Sequence, residues 1–327
     1  MQKVTGNRLA EEQSSYRSIM CIRWHHRSGT IVTMRRGGII CGTRGTKHID
    51  GTKHTDELGE RETIMALSWW ERPIALTEAV VAQHTVKLAP EPDGERRGSV
   101  PMPHDADAQH ATTSDIDNGT VSPEASGPTV RTAAPFSLVV VGDSLTVGCG
   151  VDDQQEGLVP DMARTLASII NRPVQWATYG RLGATMRRVR FRLLPQVKEQ
   201  PDLLVLCAGS NDVMARRSAK EWRSDLTAAI DEAKALCPHV VVISSGQVYR
   251  SPALGRVLRK AILDMTDAQT AISKRICADK QVRFVDMTHY DTGLTDDEFW
   301  AYDNFHPSKR CYQMLADGVI AQASTDF

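Results

Sequence analysis

The stretch "SLVVVGDSLTVGCG", residues 137–150, decides the fold. Its apolar, β-branched run Leu138–Val141 is closed by Gly142, which predicts a buried strand of a parallel sheet. Gly142 would then mark the carboxyl end of that strand, where open α/β sheets place their ligands. Ser144 follows at once, and the stretch leaves two roles open for it. Its hydroxyl either caps the next turn or binds phosphate through a glycine-rich loop, or it is a nucleophile at the strand tip.

Downstream, residues 136–327 alternate strand-like and helix-like segments in the manner of βαβ units. Because crossovers between parallel strands are right-handed, the helices cover both faces of the sheet. The sequence therefore predicts an α/β protein, a three-layer α/β/α sandwich around a five-stranded parallel sheet. The predicted strands are Leu138–Val141, Val174–Ala177, Leu203–Cys207, Val240–Ser244 and Val282–Asp286. The predicted helices cover residues 158–170, 184–197, 219–236, 254–278 and 308–323.

The part of the chain before residue 136 has a different composition. Residues 1–64 lack a sustained period and predict disorder or a mis-assigned leader, in which case Met65 is the true start. Residues 89–135 are rich in Pro, Ser, Thr, Asp and Gly, which is typical of a flexible linker. Residues 65–88 are weakly amphipathic and predict a helix that docks on the main domain. Its candidate packing residues are Trp69, Trp70, Ile74, Leu76, Val80 and Val81.

Composition and charge narrow the class of protein. The formal net charge of -1 and the pI near 6.8 predict no nucleic-acid partner, because such partners require a basic surface. Seven cysteines without CxxC spacing indicate buried thiols in a reducing compartment. The amino terminus has no apolar core of a signal peptide, and no apolar stretch is long enough for a transmembrane helix. These features predict a cytoplasmic protein and do not indicate its oligomeric state.

Four loops carry polar residues that packing does not explain. They read "GDS" at 142–144, "YGRLGAT" at 179–185, "AGSND" at 208–212 and "YDNFHPS" at 302–308. Since three of them leave the carboxyl ends of predicted strands, they would converge on one edge of the sheet. In this order they resemble the four signature blocks of the SGNH, or GDSL-type, serine hydrolase family, over about residues 137–323. The resemblance implies a flavodoxin-like hydrolase fold with esterase or lipase activity.

The same resemblance implies a role for each site residue. Ser144 is the nucleophile, His306 the base that takes its proton, and Asp303 the carboxylate that holds the imidazole ring. A spacing of three residues brings the carboxylate and the ring to the same side. The implied oxyanion donors are the backbone N–H groups of Ser144 and Gly183 and the side-chain amide of Asn211. Hydrolysis would then pass through an acyl-enzyme on Ser144.

Some neighbouring positions carry no catalytic role in this interpretation. The family usually has asparagine five residues before the block II glycine, and Thr178 in that place removes a supporting hydrogen bond from the loop. Asp143 and Asp212 flank site residues and are interpreted as carboxylates that fix loops. The arginines after block II are interpreted as a solvated helix face rather than an anion site. They are Arg187, Arg188, Arg190 and Arg192.

Five further side chains lie on loops that should border the substrate, or they pack as core under the last loop. They are Tyr249, Arg250, Trp300, Tyr302 and Phe305. The chain has no HExxH motif, no paired CxxC motif and no P-loop, so the sequence predicts neither a metal nor another cofactor.

The predicted function is hydrolysis of small-molecule carboxylic esters with short to medium acyl groups, such as a lysophospholipid or an acetylated sugar. An acyltransferase or a thioesterase would use the same triad, because any nucleophile that reaches the acyl-enzyme before water resolves it. The alternative of a different class is a non-catalytic flavodoxin-like module. In it "GDSLTVG", residues 142–148, cradles a phosphate, but Asp303 and His306 have no role.

Overall fold

The structure is a computed structural model of the chain and describes residues 67–102 and 134–323. Its strands are β1 (Arg97–Val100), β2 (Phe136–Gly142), β3 (Val174–Gly180), β4 (Leu203–Cys207), β5 (Val240–Ile243) and β6 (Arg283–Val285). Its longer helices are α1 (Glu71–Thr85), α2 (Leu158–Ile170), α5 (Ala219–Lys234), α6 (Arg256–Lys280) and α8 (Lys309–Ala323). Three short helices are α3 (Met186–Arg188), α4 (Ser210–Met214) and α7 (Asp296–Phe299). The 3₁₀ turns are Gln154–Glu156, Leu194–Gln196 and Val248–Arg250.

The strands form one mixed sheet in the order β1-β3-β2-β4-β5-β6. Strands β2 to β6 are parallel, as predicted, and they lie where the sequence places the five strands. The prediction of a five-stranded sheet was wrong by one strand, because β1 joins antiparallel to β3 at the edge. The segment Arg97–Val100 has no alternation of apolar residues that would have indicated a strand.

Strand β2 lies at the centre and packs on both faces. Leu138 and Val140 belong to the core that β2 shares with α2 and α8, whereas Val139 and Val141 belong to the core shared with α5. Successive side chains of a strand point to opposite faces, so a strand covered on both sides is apolar throughout. The uninterrupted apolar run Leu138–Val141 is thus typical of a central strand with helices on both faces of the sheet.

The segment after β3 is less regular than the predicted helix over 184–197. It begins as α3, continues as a π-helical turn at Val189–Leu193 and ends in the 3₁₀ turn Leu194–Gln196. Pro195 lies in that last turn and has no N–H to donate, so an α-helix cannot pass through it with its hydrogen bonds intact. The predicted helix over 184–197 was therefore wrong in its last turn, because Pro195 interrupts it.

Helix α1 packs against α6 through a narrow face of alanines, and not through the large residues that the sequence indicated. Ala75 packs with Ala261, and Ala79 and Ala82 pack with Leu258 and Ile262. Small side chains at these spacings let the two helices approach closely. The exposed fractions correct the predicted packing face: the exposed residues are Trp69 82%, Trp70 54%, Ile74 41%, Val80 44% and Val81 52%, while Leu76 is half-buried.

Residues 89–102, which the sequence assigns to a flexible linker, contain β1, which pairs with β3. The rest of that linker, residues 103–133, and the predicted disordered region 1–64 lie outside the described residues. Among the residues that the structure does describe, no helix is both long and apolar enough to cross a membrane. The same residues contain no group of His, Cys, Asp and Glu side chains arranged to hold a metal ion.

Candidate active site

The loops at the carboxyl edge of the sheet meet around one cavity. Ser144 follows the end of β2, Asn211 lies in α4 just after β4, and His306 precedes α8. All three side chains line the same cavity. Gly142 allows this convergence, because a Cβ at this position would lie 1.9 Å from the carbonyl oxygen of Cys207. The close pairing of β2 with β4 thus depends on glycine immediately before the serine loop.

The Asp303–His306 pair is buried and tightly hydrogen-bonded. His306 Nδ1 lies 2.6 Å from Asp303 Oδ2, and Asp303 Oδ1 accepts the backbone N–H groups of Phe305 and His306 at 2.9 Å each. Burial raises the pKa of Asp303, but the hydrogen bond to His306 and the backbone donors outweigh it and hold the pKa at about 2. The carboxylate is therefore ionised at neutral pH and fixes the ring through Nδ1.

The second ring nitrogen of His306, Nε2, takes no part in the hydrogen bond to Asp303. His306 Nε2 is buried and makes no hydrogen bond to any residue that the structure describes. The ring lines the cavity together with Ser144, whose exposed fraction is 8%. A carboxylate that holds an imidazole at Nδ1 leaves Nε2 to accept the proton of a serine hydroxyl. Ser144 makes no hydrogen bond to Nε2 in this structure.

The serine loop is fixed by its neighbouring carboxylate. Asp143 Oδ1 accepts the N–H of Leu145 at 3.1 Å, and the N–H of Asp143 donates to the carbonyl of Cys207 at 3.0 Å. Burial raises the pKa of Asp143 to about 7. Together with the approach of Asn211 Nδ2 to Asp143 Oδ2 at 3.4 Å, these contacts agree with the interpretation of Asp143 as a residue that fixes loops.

Asn211 connects the loops of three signature blocks. Its side-chain Nδ2 donates to the carbonyl of Ala184 at 3.1 Å and lies 3.4 Å from Asp143 Oδ2. Gly183 has a φ of 75°, a left-handed conformation that favours glycine. Within the described part of the chain, the N–H groups of Ser144 and Gly183 have no acceptor. Ser144 and Asn211 line the cavity, whereas Gly183 is not among its lining residues.

Two further positions show how the block II loop is held. Asp212 Oδ2 accepts the N–H of Met186 at 2.8 Å, and burial raises the pKa of Asp212 to about 7. Asp212 therefore fixes the end of this loop, as interpreted. The hydroxyl of Thr178 is buried and has no hydrogen-bond partner among the described residues. Thr178 thus gives the loop no side-chain support in place of the usual asparagine.

Only some of the residues predicted to border the substrate line the cavity. Trp300 and Phe305 line the cavity. Tyr249, Arg250 and Tyr302 do not: the Tyr249 hydroxyl donates to the carbonyl of Thr288 at 3.0 Å, Arg250 pairs with Asp296 at 2.9 Å, and Tyr302 is 70% exposed. The arginines after block II lie on a surface face, where Arg190 pairs with Glu232 at 2.7 Å.

Most of the cavity wall comes from apolar residues that the sequence analysis does not single out. Ile243 is the last residue of β5, and Met287 lies two residues after β6. Because ligands bind at the carboxyl ends of parallel strands, these positions could have indicated that both residues line the cavity. The others come from helices and loops far apart in sequence, where no local signal exists. They include Leu158, Met214, Phe299 and Val319.

The comparison with protein-family models shows to which family the chain belongs. Residues 140–314, more than half of the chain, match the model of the GDSL-like Lipase/Acylhydrolase family. The chain belongs to this family. The match spans β2 to α8 and includes Ser144, Gly183, Asn211, Asp303 and His306. A search of curated proteins finds no match for this GDSL-like chain.

Several solved structures have a similar fold, and the match covers most of each of those proteins. One is LAE5, an alpha/beta hydrolase enzyme from the metagenome of Lake Arreo, at 20% identity, covering 59% of this chain and 96% of that one with a TM-score of 0.45. The lipase/acylhydrolase from Enterococcus faecalis is 22% identical over 57% of this chain and 94% of its own, with a TM-score of 0.45.

A third similar structure is a catalytic mutant of Axe2, an acetylxylan esterase from Geobacillus stearothermophilus. It is 18% identical, covers 57% of this chain and 94% of its own, and has a TM-score of 0.42.

Proposed function

We infer that this GDSL-like protein is a carboxylic ester hydrolase that works through an acyl-enzyme on Ser144. The observation that carries this inference is the buried pair of Asp303 and His306, joined at 2.6 Å, in which His306 lines the same cavity as Ser144. A solvated surface pair would need neither burial nor a serine nearby. The arrangement supplies what a serine hydroxyl lacks as a nucleophile, namely a base oriented by a carboxylate.

In the proposed reaction, His306 Nε2 takes the proton of Ser144 as the hydroxyl attacks the ester carbonyl. The tetrahedral intermediate collapses, the C–O bond to the alcohol breaks, and the imidazolium returns the proton to the departing alcohol oxygen. Water then attacks the acyl-enzyme and gives a proton to His306. The bond between Ser144 Oγ and the acyl carbon breaks, the imidazolium returns the proton to Oγ, and the acid leaves. Asp303 stays ionised throughout and stabilises the imidazolium that forms twice in each turnover.

The negative charge on the former carbonyl oxygen requires donors that are already in place. The N–H groups of Ser144 and Gly183 have no acceptor in the described part of the chain, and the Asn211 amide donates to Ala184, the residue after Gly183. Fixed donors in a site that excludes water stabilise such a charge far more than they would in solution. This supports the assignment of these three groups as the oxyanion hole.

Asn211→Ala is expected to lower kcat by about 10²- to 10³-fold with little change in KM, because one oxyanion donor is lost. The measurement is kcat for p-nitrophenyl acetate per active site, titrated with a fluorophosphonate, beside the melting temperature. Since Asn211 also bonds to Ala184, some loss of stability is expected. A lower melting temperature with unchanged kcat would show that Asn211 only supports the turn.

The cavity also indicates the size of the acyl group. It has a volume of about 50 Å³, room for only a few water molecules, and its wall is largely apolar. A short acyl chain would fill it, whereas a long chain would have to displace side chains such as Phe299 and Trp300, which are 2% and 7% exposed. We therefore place the preferred substrates at the short end of the predicted range, with acetyl esters of a small alcohol or sugar as the leading class.

A series of p-nitrophenyl esters from acetate to decanoate tests both the activity and the preference. We expect turnover well above the buffer rate, with kcat/KM at least about tenfold higher for acetate or butyrate than for decanoate, since packed cores resist added methylenes. A fluorescent or chromogenic thioester and an added acceptor alcohol distinguish thioesterase and acyltransferase activity. No hydrolysis of any ester by well-folded protein would contradict the proposal.

The phosphate-cradle alternative finds less support in the local structure. A cradle of that kind needs a glycine-rich loop that runs directly into a helix. The stretch 142–148 is instead followed by further turns, and α2 begins only at Leu158. A phosphate beside Ser144 would therefore not lie at the amino terminus of that helix.

We also propose a cytoplasmic location. The cysteines of the described part are buried free thiols, and burial raises the pKa of Cys237 and Cys277. Such thiols are inert packing residues. This fits a reducing compartment, in which they need no disulfide partner.

A further inference from the structure

The segment between α1 and β1, residues 86–96, reaches two parts of the active site. We call it the N-terminal arm. It precedes the region matched by the family model, which begins at residue 140. One of its contacts reaches the carboxylate of the Asp–His pair, and another reaches the loop that carries Gly183. The arm is therefore more than a connection between α1 and β1.

The first contact is a buried hydrogen bond to Asp303. The backbone N–H of Ala89 donates to Asp303 Oδ2 at 2.8 Å, and Ala89 is 1% exposed. The same oxygen accepts from His306 Nδ1. Oδ1 is held by the N–H groups of its own turn. Among residues 67–102 and 134–323, the arm therefore supplies the one hydrogen bond to this carboxylate that is not local. Ala89 thus helps to set the position of Oδ2.

The second contact fixes the loop that carries Gly183. Glu91 Oε1 accepts the N–H of Leu182 at 2.7 Å. Glu91 Oε2 accepts from Arg96 Nη2 at 2.6 Å, and Arg96 Nη1 donates to the carbonyl of Gly180 at 2.9 Å. The Glu91 side chain is only 14% exposed. Glu91 and Arg96 together hold both ends of the turn that begins at Gly180.

The turn is also closed by backbone hydrogen bonds, from the N–H of Arg181 to the carbonyl of Gly142 at 3.2 Å and from the N–H of Ala184 to the carbonyl of Arg181 at 3.0 Å. Between them, Glu91 is the acceptor for the N–H of Leu182. Gly183 has a left-handed φ of 75° and no side chain, so the peptide before it can rotate at low cost. Thr178, at the position where the family usually has a supporting asparagine, makes no side-chain hydrogen bond in the described part of the chain. The N–H of Leu182 belongs to the peptide just before the one that carries the N–H of Gly183, so fixing it holds the backbone on the amino-terminal side of Leu182.

We propose that Glu91 is a positioning residue for the oxyanion hole, and that the N-terminal arm completes an active site that the matched region alone does not hold in place. This rests on the proposed ester hydrolysis, because the role of the Gly183 N–H is part of it. Glu91 acts through the loop and touches no substrate.

The test uses the full chain with Glu91→Ala, Glu91→Gln and, as a matched control, Glu95→Ala. Glu95 lies in the same arm, is exposed and makes no hydrogen bond to the described residues. We expect Glu91→Ala to lower kcat for p-nitrophenyl acetate by about 10²-fold with KM almost unchanged, since a small displacement of a catalytic group costs about that much. In Glu91→Gln, the single side-chain oxygen can accept a hydrogen bond either from the N–H of Leu182 or from Arg96, but its NH₂ group must face the other donor. The decrease in kcat should therefore be smaller than in Glu91→Ala. Glu95→Ala should match the parent protein.

Active-site titration with a fluorophosphonate expresses each kcat per competent site, so a partly unfolded sample does not imitate the effect. Hydrogen exchange of the peptide spanning residues 180–184 gives a readout independent of activity. Exchange at Leu182 should accelerate in Glu91→Ala and stay unchanged in Glu95→Ala.

The outcomes separate the two proposals. Parent-like kcat and parent-like exchange in Glu91→Ala would overturn the positioning role and leave the ester hydrolysis intact. If the parent protein hydrolyses no ester, the proposed function fails, and the exchange measurement alone decides whether Glu91 anchors the loop. A fall in melting temperature with unchanged kcat per active site would also overturn the proposal, because it would make Glu91 a purely structural residue.

Discussion

Ser144→Ala and His306→Ala are each expected to lower kcat by about 10⁶-fold, and the double variant by no more than either alone. A base without its nucleophile, or a nucleophile without its base, retains only the contribution of the oxyanion donors and of binding. Non-additivity is thus the sign that the two side chains act as one unit. The measurement is kcat for p-nitrophenyl acetate, together with the rate of covalent labelling by a fluorophosphonate.

His289→Ala is the matched control for the histidine. His289 Nε2 lies 2.8 Å from Asp267 Oδ1, so it is also paired with a carboxylate, but it is largely exposed and lies outside the cavity wall. Its loss should leave kcat unchanged. Labelling of Ser144→Ala at the parent rate would place the reactive serine elsewhere and contradict the assignment. Losses that add up in the double variant would show that Ser144 and His306 do not act together.

The fold could be predicted wherever local sequence carries a physical signal. The run Leu138–Val141 is apolar throughout because β2 packs on both faces, and periodic apolar residues indicated α2 with the bounds that the structure shows. The edge strand β1 gave no such signal. Gly98 of β1 faces Trp176 of β3, whose ring would lie 2.7 Å from a Cβ added at Gly98. The ring on the neighbouring strand leaves no room for a side chain there, and the sequence of β1 alone does not show this.

In the candidate site, too, contacts between residues close in sequence could be predicted, and contacts between distant residues could not. Asp303 and His306 lie within one turn, so their hydrogen bond follows from spacing alone, whereas their contact with the arm joins residues 214 positions apart. The face of α1 was misjudged because large apolar residues outweigh alanines in any reading of the pattern, although it is the alanines that let α1 approach α6. The apolar wall of the cavity likewise depends on packing between distant elements.

Asp303→Asn is expected to lower kcat by about 10⁴-fold while KM changes little. Asp303 Oδ2 accepts two hydrogen bonds, from His306 Nδ1 and from the N–H of Ala89, and Oδ1 accepts two more from its own turn. An amide has one oxygen, so its NH₂ group must face one of these pairs of donors. If it faces His306, the ring adopts the tautomer with its proton on Nε2, which cannot accept the proton of Ser144.

The same substitution has a pH dependence that tests the charge of Asp303. Its pKa of about 2 in the folded protein lies below the usual value of about 3.9 for an unfolded chain, so the ionised form stabilises the fold above about pH 4. That contribution is lost as the pH falls from about 4 to about 2. The free energy of unfolding should therefore fall more steeply with acidification in the parent protein than in Asp303→Asn, which has no proton to bind. Parallel curves for the two proteins, or a kcat within tenfold of the parent value at pH 7, would mean that the carboxylate is not the charged partner of His306.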